Sequence, residues 1–225
     1  MRRCLFLLPL LVALIGLCPA RSADKDAPEG FEALFNGKDL TGWKVNKGGN
    51  MKVWGADKGI LYVEGGGGGW LMTEKEYDDF ELRLEFKLPE KGNSGVALRA
   101  PLKGDPAFDG MELQLADFRY NTQAKPSELT GGVYRAIAPT KQVYKPTEWN
   151  TCRIELKGTH LKVTLNGELI QDVDLTKFDQ PVKRHDNTDA PPIKDRPRRG
   201  HIGFQHLSRD NVPVQIRAAR IKELK

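Results

Sequence analysis

Cysteine is scarce in this chain, with three among 225 residues. Cys4 and Cys18 fall near the N-terminus, so Cys152 stands alone in the remainder and no intramolecular disulfide framework is open to it. Long apolar runs are missing once the N-terminus is passed. Even Leu5 to Leu17 is shorter than the ~20 residues a membrane-spanning helix needs, and no later stretch approaches it. Charge of one sign is lacking too: 35 Lys+Arg stand against 30 Asp+Glu. The two signs are mixed along the chain, whereas a nucleic-acid surface would gather basic residues on one element with aromatics between them. The five-glycine run Gly65 to Gly69 has no Gly-Lys-Ser/Thr ending, so it reads as a turn and not as a phosphate loop. Zinc-type ligand spacing is absent as well. His201 and His206 lie five positions apart on one predicted strand and so face opposite sides. His160 follows a Gly158-Thr159 turn and His185 sits in a basic loop, and neither position points to chemistry.

What is present begins with Arg2 and Arg3, the apolar run from Leu5 to Leu17, and the small residues around Cys18-Pro19-Ala20, the three parts of a secretory signal. Residues 1–20 are expected to be removed, with cleavage near 20–23, which leaves one domain over 24–225 in a secreted or periplasmic setting. Loss of Arg2 and Arg3 lowers the formal charge from +5 to +3.

Period-two alternation recurs through that domain, and sustained helical periodicity does not. Phe80, Leu82, Leu84, Phe86 and Leu88 alternate with Glu81, Arg83, Glu85 and Lys87, the mark of a strand with one dry and one wet face. Leu161, Val163 and Leu165 repeat the pattern ahead of an Asn166-Gly167 hairpin turn and a strand over Glu168 to Ile170. Cys152 shares a strand face with Ile154 and Leu156 and reads as a buried small hydrophobe. Further strands are expected at Val53 to Ala56, Ile60 to Val63, Gly95 to Ala100, Met111 to Ala116, Gly132 to Ile137, Ile202 to His206 and Val214 to Ile221. Many short strands joined by turns predict an all-β sandwich of antiparallel sheets. Pro181 to Gly200 reads as a basic solvated loop with almost nothing to bury, of a length that also suits a lid.

The wet faces differ from one another. Those beside Phe80 to Leu88 and Cys152 to Leu156 carry long charged side chains. Three others mix small residues with single polar ones: Gly95, Ala97 and Arg99; Glu112, Gln114 and Ala116; Gly132, Tyr134 and Ala136. The small residues leave room for a ligand. Glu112 and Gln114 would stand about 6.6 Å apart along one strand, a spacing suited to one sugar ring. Of the tryptophans Trp43, Trp54, Trp70 and Trp149, at most one is expected to meet a ligand, because sandwich tryptophans are usually core plugs.

Taken in order, several segments carry a resemblance: Gly30 to Gly37 with Leu40-Thr41-Gly42-Trp43, Tyr77 to Leu82, Gly92 to Arg99, Gly110 to Leu115 with Asp117, Thr130 to Tyr134, Glu148-Trp149-Asn150, Leu165-Asn166-Gly167 and Gly200 to Gln205. Together they resemble the 3-keto-disaccharide hydrolase family, and the resemblance covers nearly all of the chain after the leader. It implies a concanavalin-like jelly-roll fold and cleavage of a glycosidic bond in a sugar already oxidised to a ketone at carbon 3. The ketone acidifies the carbon 2 proton, a base removes it, the group on carbon 1 leaves by elimination, and water can then add. Such chemistry needs a base and donors aimed at the enolate oxygen. The resemblance implies Glu112 as base, with Gln114 and Arg99 beside it, and Asn93, Asp117, Tyr134, Gln205 and His206 as substrate-binding residues. Where relatives carry Asp-His-Gly after the glutamine, this chain has His206 to Asn211. No cofactor or metal is required by any motif, although divalent cations are common in this fold class. A monomer acting on a small carbohydrate is expected, with no nucleic acid and, after leader removal, no membrane as partner.

Two other readings stay open at this stage. One is a lectin-like module that holds glycans without cutting them. The other is a conventional glucanase built on Glu112 and Asp117, disfavoured by the amide of Gln114 between them, because retaining hydrolysis wants two carboxyls about 5 to 5.5 Å apart.

Overall fold

The structure is a computed structural model that describes residues 28–46, 48–64, 69–207 and 213–225. The expected leader, most of the glycine run and residues 208–212 lie outside the described residues. The strands in chain order are β1 (Glu32–Ala33), β2 (Trp43–Val45), β3 (Trp54–Asp57), β4 (Ile60–Val63), β5 (Trp70–Tyr77), β6 (Phe80–Lys87), β7 (Asn93–Ala100) and β8 (Met111–Ala116). They continue as β9 (Asn150–Lys157), β10 (His160–Leu165), β11 (Glu168–Asp174), β12 (Val182–Lys183), β13 (Asp189–Ala190), β14 (Gly200–Gln205) and β15 (Val214–Glu223). Among the described residues a single short α-helix, α1 (Pro106–Asp109), is capped by the Asp105 side chain and joins β7 to β8.

β12 and β13 pair separately as a hairpin, and the other strands form two antiparallel sheets. One runs β11-β10-β9-β6-β15-β4-β3 with β1 on β15, and the other runs β2-β5-β14-β7-β8. Alternation explains how they meet. Phe80, Leu82, Leu84 and Phe86 of the first sheet and Val96, Leu98, Leu113 and Phe204 of the second are buried in one core cluster between the sheets. Cys152 lies in the same core, as its neighbours indicated, and burial pushes its thiol up to about 12. Trp43 stacks on Phe204 with ring centroids 5.5 Å apart, and Trp54 is also buried there. Trp149 instead lies under the Arg217 guanidinium. The outer face of the first sheet is wet and laddered: Glu81 accepts from Arg83 Nε at 2.7 Å and from Arg153 Nε at 2.6 Å.

The second sheet departs from a simple half-wet design, since every residue of β7, β8 and β14 is buried. Its far face carries a second apolar cluster that includes Trp70, Met72, Ala97, Ala100 and Phe108, closed by Val182 and Ala190. Those last two belong to the β12–β13 hairpin inside the segment 181–200. That segment therefore has apolar residues to bury, contrary to the sequence expectation. It is also pinned by polar bonds. Arg184 pairs with Asp109, Arg135 Nη1 donates to the Lys183 and Arg184 carbonyls, and buried Arg196 Nη1 donates to the Ala107 and Gly110 carbonyls at 3.0 and 2.9 Å.

Two expected strands take different forms. Val53 belongs to a 3-10 turn, Met51–Val53, and the strand starts at Trp54. Residues 131–134 run beside β8 through Gln114 N–H to Gly132 O and Tyr134 N–H to Glu112 O. They then double back at Val133 and Ile137, with Arg135 in the left-handed region at φ 58°, so no regular strand forms.

Candidate active site

Register places the polar residues. Between β7 and β8, Gly95 lies opposite Gln114, Ala97 opposite Glu112, and Asn93 opposite Ala116. On β14, Gly203 lies opposite Ala97 on one side and Met72 on the other, and Gln205 lies opposite Trp70. Side chains of paired residues share a face, so Asn93, Glu112, Gln114 and Gln205 stand on the outer face of the second sheet, as the alternation indicated for Glu112 and Gln114.

The glycines do not leave empty floor, however. A Cβ on Gly95 would lie 1.9 Å from Glu112 Oε1, and one on Gly203 would lie 2.2 Å from Met72 Sδ. The missing side chain at Gly95 makes room for the carboxyl of Glu112 itself. That carboxyl is 1% exposed, and its Oε1 has no hydrogen-bond partner among the described residues. Burial, with repulsion from the Asp105 carboxylate behind it, pushes its pKa well above the usual carboxylate range. Once ionised, such a group is a stronger base than an exposed carboxylate.

Gln114, the neighbour of Glu112 on the same strand face, lines a cleft of about 250 Å³ whose walls also include Asn93, Asp117, Tyr134 and His185, with Glu112 itself buried outside that wall. Gln114 Oε1 accepts from the Leu115 N–H at 2.9 Å, so the NH2 end of this amide is the one left for a ligand. Burial pushes the Tyr134 phenol up to about 12, which keeps it a donor at neutral pH. Gln205 Oε1 is buried without a partner among the described residues, an acceptor suited to a hydroxyl. Asp117 lies at the cleft wall in another state. Burial works against its charge, yet Arg119 Nε and Nη2 donate to it at 2.8 and 2.7 Å and hold its pKa below the usual value. A carboxylate so tied neither protonates a leaving group nor accepts a proton readily, which removes the glucanase pairing with Glu112.

Two residues expected here lie elsewhere. Arg99 turns away from the cleft, because β7 carries an extra residue against β14: Ala97 pairs with Gly203 and Ala100 with His201, with Arg99 in between at φ 49°. Ala100 takes the outer face in its place. The Arg99 guanidinium is 1% exposed and ties together the Asp78 carbonyl (2.6 Å), the Gly158 carbonyl (2.8 Å) and the Asp79 carboxylate (2.8 Å). It links turns of the two sheets and is a structural clamp. The His206 ring stands edge-on to Trp54 with centroids 6.2 Å apart, at the rim of the core between the sheets and outside the cleft wall. The next residue, Leu207, is the one that reaches the cleft.

Conversely, His185 was passed over in the sequence and lies at the cleft. The β12–β13 hairpin carries it there, with its ring 5.9 Å from Tyr134 and 5.4 Å from Phe108. Only the length of segment 181–200 hinted at a cover, and nothing in its composition said which residue would face inward. A larger cleft of about 640 Å³ lies beyond the Arg135–Glu128 ion pair and shares those two residues, but it meets none of the polar sheet residues. The smaller cleft is the candidate, because the amide groups of Asn93 and Gln114 and the Tyr134 phenol line it, and Glu112 lies two residues from Gln114 on the same strand face, buried just outside the wall. Among the described residues no group of three His, Cys, Asp or Glu side chains is placed to hold a metal ion, and no helix is long and apolar enough to cross a membrane.

Known proteins share this fold. A crystal structure of a proposed glycosyl hydrolase from Parabacteroides distasonis superposes with a TM-score of 0.71 at 31% identity, covering 86% of this chain and 99% of that one. A carbohydrate-binding module from Bacillus subtilis, at 15% identity and a TM-score of 0.51, covers 81% of this chain and 96% of its own, and it shares the fold. The fold is thus the concanavalin-like jelly roll that the sequence led us to expect. A 3-keto-disaccharide hydrolase of Bacteroides thetaiotaomicron is 27% identical over 157 residues, which are 58% of this chain and 54% of that protein, about half the relative's length. A family profile described as a 3-keto-alpha-glucoside-1,2-lyase-like domain matches residues 30–222, and the chain belongs to that family.

Proposed function

We propose that this chain cleaves the glycosidic bond of sugars that carry a ketone at carbon 3, by proton removal at carbon 2 followed by departure of the group on carbon 1. The observation that carries this reading is Glu112: a buried carboxyl with an unpartnered oxygen among the described residues and a raised pKa, on the same strand face as the Gln114 amide and close enough to Tyr134 to act on its phenol. The kinship to a 3-keto-disaccharide hydrolase and to a proposed glycosyl hydrolase supports the substrate class.

Each chain residue has a role that its placement allows. Glu112 takes the carbon 2 proton. Gln114, Asn93 and Tyr134 hold the ketone and ring hydroxyls, and the N–H and O–H donors among them face the oxygen on which enolate charge develops. Gln205 accepts from a hydroxyl. Since Glu112 is closed over in this conformation, the β12–β13 hairpin lifts to admit a sugar ring and settles again to exclude water. The signal-like N-terminus supports export of the domain to the periplasm or medium.

A non-catalytic glycan-binding module is the competing reading, and the closure of Glu112 is the observation in its favour. The two separate in one experiment. The purified protein is incubated with an aryl 3-keto-glucoside, and free aglycone is followed alongside sugar binding. Release that disappears in Glu112→Ala while binding persists supports the enzyme, whereas binding without release by the parent protein supports the module.

A further inference from the structure

The proposed reaction moves two protons, and Glu112 accounts for only one. As the bond from carbon 1 breaks, the departing oxygen takes the electron pair and, unless it belongs to an acidic alcohol, needs a proton as well. Asp117 cannot supply it, being held ionised by Arg119 at 2.7 Å. Glu112 has the wrong duty at that moment, since it is receiving the carbon 2 proton. Glu128, also at the wall, is paired with Arg135 at 2.9 Å, which leaves two phenols, Tyr120 and Tyr134, and the His185 imidazole as groups with a proton able to move. Phenols as a class are weak acids at neutral pH, and burial lifts that of Tyr134 up to about 12, so it parts with a proton reluctantly. The imidazole belongs to a residue type that gains and loses a proton near neutrality.

The position of His185 suits the task. It stands at the start of the hairpin turn between β12 and β13, across the cleft from the sheet that holds Glu112. Its ring leans on Phe108 at 5.4 Å and on Tyr134 at 5.9 Å, and the neighbouring Arg184 is anchored to Asp109. The side chain is exposed on its other side, so it can be recharged from solvent. These contacts hold one ring above the floor of the cleft at the tip of an element that closes on it.

We infer that His185 is the general acid that protonates the leaving oxygen, and that it works opposite Glu112 on the two sides of the substrate. This inference rests on the proposed reaction. In the forward step the carbon 2 proton passes to the Glu112 carboxylate. The electron pair of that carbon–hydrogen bond becomes the new double bond between carbons 1 and 2, by way of the enolate. The bond from carbon 1 to oxygen breaks, and the His185 imidazolium gives its proton to that oxygen. Free alcohol and an unsaturated 3-keto sugar result, with Glu112 protonated and His185 neutral. Addition of water is the same step reversed: His185 takes a proton from water as its oxygen joins carbon 1, and Glu112 returns a proton to carbon 2. Both groups are thereby restored, and the sum is hydrolysis. If the unsaturated sugar leaves first, the outcome is lyase chemistry, and both groups reset through solvent.

Leaving-group dependence tests the assignment, because a nitrophenolate departs without help and an alkoxide does not. Rates are measured for the parent, His185→Gln and Tyr134→Phe on a 4-nitrophenyl and on an alkyl 3-keto-glucoside, with thermal unfolding of each variant as a folding check. The expected result for His185→Gln is a loss on the order of 100-fold or more on the alkyl substrate with little change on the nitrophenyl one, and no such split for Tyr134→Phe. Equal losses on both substrates, no loss on either, or a split that appears in Tyr134→Phe instead would overturn the assignment. Absence of turnover by the parent on both substrates would instead sink the reaction itself.

Discussion

Gly95 and Glu112 are diagonal neighbours on adjacent strands, and Glu112 Oε1 fills the space that a Cβ on residue 95 would need. The glycine is therefore a condition for where the carboxyl lies. In a close-packed interior neither partner can yield freely.

Gly95→Ala follows from this. The added methyl forces the carboxyl aside, at a stability cost of about 1–3 kcal/mol, as for overpacking elsewhere, and turnover falls on the order of 100-fold because the base is displaced. Adding Glu112→Ala to Gly95→Ala returns most of the lost stability, since the clash is gone. Thermal unfolding of the single and double variants checks this, and additive effects of the two substitutions would contradict the packing argument.

The raised pKa of Glu112 gives two opposite pH trends. The folded state favours the protonated carboxyl, whose ordinary value is 4.5, so its contribution to stability is full below about 4.5 and is lost as pH rises through the folded value. Glu112→Gln removes this loss. The variant should match the parent near pH 4 and unfold at a higher temperature than the parent as pH rises, read by calorimetry across that range. On a nitrophenyl substrate, whose leaving group needs no acid, activity of the parent runs the other way and rises with pH, because only the ionised carboxyl takes a proton, while Glu112→Gln is inactive throughout.

Arg99 is expected to matter for folding and not for substrate. Arg99→Met leaves the Asp79 carboxylate with the Gly158 N–H as its remaining donor among the described residues and deprives the Asp78 and Gly158 carbonyls of the guanidinium. Loss of a buried charged partner costs about 3–5 kcal/mol, which for a chain of this size lowers the melting temperature by roughly 6–20 °C. Below that transition, kcat on a 3-keto-glucoside should stay within a few-fold of the parent. A large loss of kcat in a folded variant would return Arg99 to the active site.

Arg184→Ala tests the hairpin as a cover. Removing the pair with Asp109 loosens β12 and β13 while the two main sheets keep their contacts. Amide exchange at 182–190 should quicken and KM should change, with the global melting temperature little affected. Unchanged exchange in the hairpin would mean that the buried Val182 and Ala190 hold it alone.

Strands with clean alternation, such as β6, β8 and β10, were legible in the sequence, since one face meets the core and the other meets water or a cover. β5 was not, because Glu74, Lys75 and Glu76 interrupt its apolar start. The rough position of Glu112, Gln114 and Asn93 followed from period two and from the family motif together. Arg99 was misplaced by the same counting, because a single extra residue in β7 shifts every later side chain to the other face. His185 was invisible for a different reason: its neighbour across space, Tyr134, lies 51 positions earlier in the chain, and no local pattern encodes a hairpin that folds over a sheet.

Proton removal at carbon 2 by Glu112 can be watched without waiting for bond cleavage. The protein is incubated in deuterium oxide with a 3-keto sugar whose carbon 1 bears no departing group, and the carbon 2 proton is followed by NMR. Loss of that signal with the parent protein, abolished by Glu112→Gln in a variant that still binds the sugar, is the outcome expected here. A signal that persists with the parent, or that fades equally with Glu112→Gln, would contradict Glu112 as the base and with it the proposed reaction.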